Sequence, residues 1–123
     1  MANAGWSETT RWRLAAWGHE LYEQGAYERA GTVFAALLEE SRADPYVAQA
    51  LAACHLAVGN PAACVDLMRW WLSAHPANPA ASLRLAEGLA ALGHTREAAA
   101  ELATVPASVA GPARARLQFR LGL

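Results

Sequence analysis

The pattern of hydrophobic and polar positions along the chain predicts seven helices and no strand. The predicted helices span seven ranges: 8–24, 27–41, 45–58, 61–74, 79–92, 95–104 and 112–121. Three glycines, Gly25, Gly59 and Gly93, each lie between two of these helices and are 34 residues apart. Because glycine takes a left-handed backbone conformation without strain, each of them is predicted to end the helix before it.

A repeat of 34 residues organises the hydrophobic pattern, with repeats at 11–44, 45–78 and 79–112. Small residues at two positions let paired antiparallel helices approach closely where they cross, and a large apolar residue one turn further on fills the space between them. Four sets of equivalent residues carry the repeat: Trp17, Leu51 and Leu85; Gly18, Ala52 and Ala86; Ala30, Cys64 and Ala98; Phe34, Met68 and Leu102.

Prolines and short polar residues mark the helix starts. Pro45 and Pro79 can open helices because the first helical residue needs no N–H, and Asp44 and Asn78 before them are predicted N-caps. The last helix begins at Pro112 and is predicted to cap the stack of repeats. The predicted organisation is a partly disordered lead-in over 1–10, three repeats over 11–112, and a C-terminal capping helix over 112–123.

One stretch of the first repeat resembles the consensus of the tetratricopeptide repeat (TPR): Leu14-x2-Trp17-Gly18-x2-Leu21, then Ala30-x3-Phe34. Trp and Leu are exchanged, since Leu14 stands at the consensus Trp and Trp17 at the consensus Leu. The resemblance covers about 11–112. It implies an all-α fold in which three helix-turn-helix repeats form a right-handed superhelical solenoid, closed by the capping helix. The first helices of the repeats would then line a concave groove. The chain departs from the TPR pattern at His55, Trp71 and Pro106, and the last of these predicts a short sixth helix.

The TPR resemblance also implies which residues line this groove. They are Trp12, Ala15, His19 and Tyr22 from the first repeat, Tyr46, Gln49, Ala53 and Leu56 from the second, and Leu83 and Glu87 from the third. Such an apolar and aromatic set suits an extended or helical peptide, with Trp12, Tyr22 and Tyr46 as the expected contact points. The alternative for any one of these residues is a place in the core.

A narrower resemblance is to the small TPR chaperones of bacterial type III secretion, above all those that hold translocator proteins. It is carried by Gly25-x-Tyr27-x2-Ala30-x2-Val33-Phe34-x-Ala36-Leu37, by Leu51-x-Ala53-Cys54-x4-Gly59, and by Leu85-Ala86-Glu87-x-Leu89-x3-Gly93-x3-Glu97-Ala98. It implies a cytoplasmic chaperone that covers the apolar segments of an export substrate. Only about ten residues precede the first repeat, and this shortness fits the needle-subunit chaperones of the same systems.

Composition and charge narrow the choice of partner. The net charge of −1 gives no broad basic field for nucleic acid, and no apolar run reaches the roughly 18 residues that a membrane-spanning helix needs. Residues 1–10 lack the pattern of a secretory signal, so we expect a cytoplasmic protein. The expected partner is a protein or peptide. A second copy of the chain, as a homodimer, and a small co-chaperone are further candidates.

The residue types of catalysis and metal binding do not form a recognisable pattern in this chain. No two histidines have the i, i+4 spacing of a helical metal site, and no glycine-rich phosphate loop or serine nucleophile motif is present. Cys54, His55 and Cys64 are conceivable ligands, but both cysteines fall at core positions, where reduced buried thiols are expected. We therefore expect no enzymatic activity, no cofactor and no metal.

The pair Trp70-Trp71 is the feature that the repeat pattern does not assign. Adjacent residues on a helix point about 100° apart, so both cannot be buried in one seam. One of them is predicted to pack between repeats and the other to reach the convex face, where Trp70 is a candidate partner surface. The alternative to a partner surface is a capped core tryptophan.

Two hypotheses of function follow from these patterns. The first is a chaperone or adaptor that holds an apolar segment of a secretion translocator or needle subunit in its groove. The second is a general TPR scaffold or regulatory module that bridges larger proteins. Loss of a chaperone makes its partner aggregate or be degraded, whereas loss of a scaffold leaves the partner soluble.

Overall fold

The computed structural model describes residues 6–109 and 111–123, and these residues form seven α-helices. All seven predicted helices are present; one has the predicted bounds and the other six end one residue earlier than predicted. Their bounds are α1 Glu8–Glu23, α2 Tyr27–Glu40, α3 Pro45–Ala57, α4 Pro61–Ala74, α5 Pro79–Ala91, α6 Thr95–Ala103 and α7 Pro112–Arg120.

The predicted capping residues and glycines mark the helix ends in the structure. The side chain of Asp44 accepts hydrogen bonds from the backbone N–H groups of Tyr46 and Val47, and Asn78 accepts one from Ala81. Ser7, which the sequence analysis missed, caps α1 in the same way. The three repeat glycines have φ of +82°, +80° and +83°, the left-handed conformation that the prediction required.

The chain divides into two compact units between Asn60 and Pro61. Unit 1 holds α1, α2 and α3, and unit 2 holds α4 to α7. The division falls within the predicted second repeat, and the repeat bounds stay a prediction. Because α1 begins at Glu8, the last three residues of the predicted lead-in are helical, while residues 1–5 lie outside the described part of the chain.

The core of unit 1 forms where α2 packs against both α1 and α3. Phe34 and Leu37 of α2 are almost completely buried. Gly18 of α1 lies directly over the Phe34 ring, since a Cβ atom built at this glycine would be 2.8 Å from Cζ of Phe34. The small residue at the predicted crossing position is therefore what lets these two helices pack closely.

The core of unit 2 surrounds α5, which packs against α4, α6 and α7. A Cβ atom at Gly88 of α5 would lie 2.9 Å from a methyl carbon of Val65, so this crossing also depends on a small residue. The Arg114 guanidinium donates to the carbonyl oxygens of Val105 and Pro106, at 3.0 and 3.1 Å, and ties α7 to the segment after α6. As Pro106 predicted, α6 is short, with nine residues.

Among the described residues, no helix combines the length and the apolar character that crossing a membrane requires.

Candidate functional site

A groove of about 800 Å³ opens in unit 1 between the first part of α1 and the start of α3. The end of α2 closes one side of it. We call it the unit 1 groove, and its lining residues are Glu8, Arg11, Trp12, Ala15, Ala16, His19, Leu37, Ser41, Asp44, Tyr46 and Val47. Helix periodicity explains the contribution of α1, because Trp12, Ala15, Ala16 and His19 share one face at spacings of three and four.

Two exposed aromatic side chains form the walls of the unit 1 groove. Trp12 of α1 is 71% exposed and Tyr46 of α3 is 49% exposed, so both offer apolar area to a ligand. The Tyr46 ring meets the buried Phe34 ring edge to face, at 6.0 Å between centroids, and this contact holds it in place. Partial burial raises the pKa of Tyr46, and the nearby Asp44 carboxylate raises it further.

The floor of the groove is small and aliphatic. Leu37 and Val47, each only 2% exposed, line the groove together with the half-buried Ala15 and the exposed Ala16. Alanines between aromatic walls leave room for a bulky side chain of a ligand, and such a side chain would replace water on an apolar surface.

The rim of the groove is polar, and several of its polar side chains form hydrogen bonds or ion pairs within the protein. Arg11 donates to the carbonyl oxygen of Trp6 at 2.9 Å, and Asp44 caps α3. The imidazole Nε2 of His19 lies 3.7 Å from a carboxylate oxygen of Glu23, one turn later on α1. An apolar groove with such a rim can bind an apolar peptide segment.

The structure brings four of the ten predicted groove residues together in this groove, namely Trp12, Ala15, His19 and Tyr46. Tyr22, Gln49, Ala53 and Leu56 are half-buried elsewhere in unit 1, and the Tyr22 ring packs edge-on against Tyr27. Leu83 and Glu87 belong to unit 2, where Glu87 pairs with Arg84 at 3.0 Å. The prediction that these ten residues bind a peptide stays a prediction.

Sequence reasoning missed seven lining residues: Glu8, Arg11, Ala16, Leu37, Ser41, Asp44 and Val47. The repeat pattern places groove residues on the first helices alone, whereas here the end of α2 also contributes. Ala16 could have been found, because it lies one helical turn after Trp12 on the same face.

The tryptophan pair behaves as the helix geometry required. Trp71 is 2% exposed and stacks on the imidazole of His75, with ring centroids 3.9 Å apart. Trp70 is 37% exposed and meets the Trp71 ring edge to face. The structure therefore identifies Trp71 as the core member, and a partner surface at Trp70 stays a prediction.

The cysteines are free thiols in the core. Both Cys54 and Cys64 are buried, and burial raises the pKa of each, that of Cys64 to about 11. Burial lowers the pKa of His55. Within the described residues, no group of three or more histidine, cysteine or acidic side chains is arranged to hold a metal ion.

Comparisons with known proteins agree with this fold. The family model of the tetratricopeptide repeat matches residues 71–121. A comparison with the sequences of characterised proteins found no match.

Two solved structures are similar over nearly the whole chain at 26% identity. One is the Yersinia enterocolitica type III secretion chaperone SycD in complex with a peptide of the translocator YopD; the match covers 94% of this chain and 89% of that chain, with a TM-score of 0.78. The other is Pseudomonas aeruginosa PcrH in complex with the chaperone binding region of PopD; the match covers 96% of this chain and 90% of that chain, with a TM-score of 0.78.

A third similar structure has only the fold in common with this chain. It is the first TPR domain of Spaghetti (RPAP3) bound to an HSP90 peptide, at 16% identity, 93% and 92% coverage and a TM-score of 0.79. Together these matches confirm the predicted all-α fold of TPR type. They also confirm the resemblance to the translocator chaperones of type III secretion.

Proposed function

We propose that the protein is a cytoplasmic chaperone that binds an apolar segment of a type III secretion translocator and keeps it soluble before export. The observation that carries this proposal is the unit 1 groove, an apolar trough walled by the exposed rings of Trp12 and Tyr46. It occurs in a chain that is 26% identical to chaperones solved with translocator segments bound.

The physical basis is the apolar area that the groove leaves in water. Large aromatic side chains that become fully desolvated dominate the energy of many protein interfaces. A translocator segment with apolar side chains would cover Trp12 and Tyr46 and fill the space above the alanine floor. The segment would thereby be kept from aggregating, because its own apolar side chains would no longer face water or one another.

The other residues that the TPR resemblance implies are further proposed peptide contacts: Tyr22, Gln49, Ala53 and Leu56 in unit 1, and Leu83 and Glu87 in unit 2. Similarity to SycD and PcrH supports a translocator rather than a needle subunit as the substrate. The proposed role requires neither a chemical step nor a cofactor.

The direct test is co-expression of the chain with the translocator encoded in the same genome, followed by affinity capture of the chaperone. We expect the double variant Trp12→Ala with Tyr46→Ala to lose most of the translocator, because both walls of the groove are removed. Trp17→Ala is the matched control: it also removes a half-exposed tryptophan from α1, but Trp17 does not line the groove. Circular dichroism checks that each variant is folded.

Equal capture by the double variant and by Trp17→Ala would contradict binding in the unit 1 groove.

Deletion of the gene distinguishes a chaperone from a scaffold. The translocator should aggregate or be degraded in the deletion strain, and a translocator that stays soluble and abundant there would favour the scaffold. A needle subunit as the main captured protein from native cells would reassign the substrate within the same secretion system.

A further inference from the structure

The outer face of α7 carries apolar side chains that the fold does not use. Phe119 is 88% exposed and Leu123, just after the helix, is 70% exposed. On α7, Arg116 lies one helical turn before Phe119 and Arg120 directly follows Phe119; both arginines are exposed, whereas Leu117 is buried. We call Arg116, Phe119 and Arg120 the α7 face; Leu123 lies beyond Gly122, whose φ of +76° turns the chain out of the helix.

The two arginines of the α7 face are not engaged by the fold. Arg114 serves the fold through its bonds to the segment after α6. By contrast, Arg116 and Arg120 are exposed and form no salt bridge with any residue that the structure describes. An exposed phenylalanine flanked by unpaired arginines combines the two residue types that are enriched at the centres of protein interfaces.

Charge is unevenly distributed along the chain. Residues 112–123 contain three arginines and no carboxylate, a side-chain charge of +3. Residues 1–60 contain four arginines and seven carboxylates, a side-chain charge of −3. The charge of residues 112–123 is therefore opposite in sign to that of unit 1, so unit 1 of another copy of the chain would attract α7.

The unit 1 groove also complements the α7 face in shape and polarity. Its apolar floor and the rings of Trp12 and Tyr46 provide a site for a large aromatic side chain such as Phe119. Glu8 and Asp44 are among the lining residues, and their carboxylates are opposite in charge to the arginines of the α7 face; the same lining also contains Arg11, and Asp44 caps α3. A short amphipathic helix that presents apolar anchors to a groove is a recurrent mode of peptide recognition.

We propose that the α7 face of one copy docks in the unit 1 groove of a second copy. This inference rests on the proposed function in one respect, namely that the unit 1 groove is a binding site. It adds a regulation of that site: in the absence of substrate, self-association covers the groove, and an arriving translocator segment displaces α7. The exposed aromatic side chains at both sites would then be protected from unspecific contacts until the substrate binds.

The test measures the mass of the full-length chain by sedimentation equilibrium over a wide range of concentration. Wild type should associate, and Phe119→Ser should raise the dissociation constant by about tenfold or more, since a central aromatic anchor is lost. Trp12→Ala, which damages the groove instead, should do the same. Arg116→Glu should also weaken association, whereas Arg96→Glu, a charge reversal at another exposed arginine, on α6, should leave it unchanged.

Mixing the two damaged variants makes the test specific. The Phe119→Ser chain keeps an intact groove, and the Trp12→Ala chain keeps an intact α7 face, so the mixture retains one undamaged contact. We expect the mixture to form a one-to-one complex that neither variant forms alone. A wild-type chain that stays monomeric, a Phe119→Ser chain that associates like wild type, or a mixture that does not associate would each overturn the proposal.

Translocator capture by the Phe119→Ser variant separates this inference from the proposed function. If Phe119→Ser still captures the translocator and self-association of wild type is absent, only the docking of α7 is wrong. If neither the wild-type chain nor the variant captures the translocator, the proposed function fails by itself, and the sedimentation result still decides the docking of α7.

Discussion

Helices α1 and α5 occupy equivalent places in the 34-residue pattern, but they are buried to very different extents. Of the 16 residues of α1, only Gly18 and Leu21 are buried, whereas seven of the 13 residues of α5 are buried. The cause is the number of neighbours: α1 packs on α2 and touches α3, while α5 is packed by α4, α6 and α7. At equivalent positions, Trp17 of α1 is 47% exposed and Leu85 of α5 is 5% exposed.

The position of a helix in the 34-residue repeat therefore does not by itself determine whether its side chains are buried or exposed. The helix with few neighbours keeps Trp12 and Trp17 largely in water, and Trp12 lines the unit 1 groove. The helix with neighbours on several sides carries small and aliphatic side chains that fit between them. We therefore expect changes in α1 to affect binding more than stability, and changes in α5 to affect stability directly.

The largest expected effect is on stability, in α5. Leu85→Ala removes a buried side chain among packed helices and should lower the free energy of unfolding by about 2–5 kcal/mol. Trp12→Ala in α1 removes a side chain that is mostly exposed and should cost about 1 kcal/mol or less. Urea unfolding followed by circular dichroism measures both. Similar losses for the two variants would contradict the contrast between α1 and α5.

A smaller effect is expected at the crossing of α1 with α2. In Gly18→Ala the new methyl group would lie 2.8 Å from Cζ of Phe34, so a buried ring must move, and we expect a loss of about 1–2 kcal/mol after the gain in helix propensity is subtracted. Gly31→Ala on α2 is the matched control, because its methyl group would lie at an ordinary 3.5 Å from Cβ of Cys54. That variant should be neutral or stabilised by up to about 1 kcal/mol. Equal destabilisation by both would show that Gly18 is not a packing constraint.

The features that were predictable from sequence depend on local chemistry. A left-handed glycine, a proline at the first helical position and an Asp or Asn cap each act within a few residues, so Gly25, Pro45 and Asp44 marked the helix ends to within one residue. Small residues at a helix crossing also leave a signal in a repeat, because equivalent positions must be small in each copy. Gly18 is the example for which the structure gives the contact.

The features that were not predictable depend on which helices meet. Nothing in the sequence says that Leu37, near the end of α2, lines the unit 1 groove, because this follows from the packing of three helices. In the same way, Trp70 and Trp71 are chemically identical, and only the position of their helix in unit 2 buries Trp71. The exposed Phe119 on α7 was also missed, since the place of a helix in the stack does not reveal what its outer face is for.

The smallest expected effect is a loss of stability at high pH, and it comes from the buried cysteines, Cys54 in unit 1 and Cys64 in unit 2. In the unfolded chain the Cys64 thiol ionises near its ordinary pKa of 9.0, whereas burial keeps it protonated up to about pH 11 in the folded chain. Between these values the unfolded state binds fewer protons than the native state, so stability must fall as the pH rises. The loss from this one group should be about 1 kcal/mol near pH 10 and negligible at neutral pH.

Cys64→Ala isolates this contribution. The variant should be less stable than wild type at pH 7, because a small cavity forms, but its stability should fall less steeply as the pH rises above 9. Cys54→Ala in unit 1 should flatten the same curve, since burial also raises the pKa of that thiol. Urea unfolding at a series of pH values gives the slopes. A Cys64→Ala curve parallel to that of wild type would mean that the thiol is not held in its protonated form by the packing of α4 against α5.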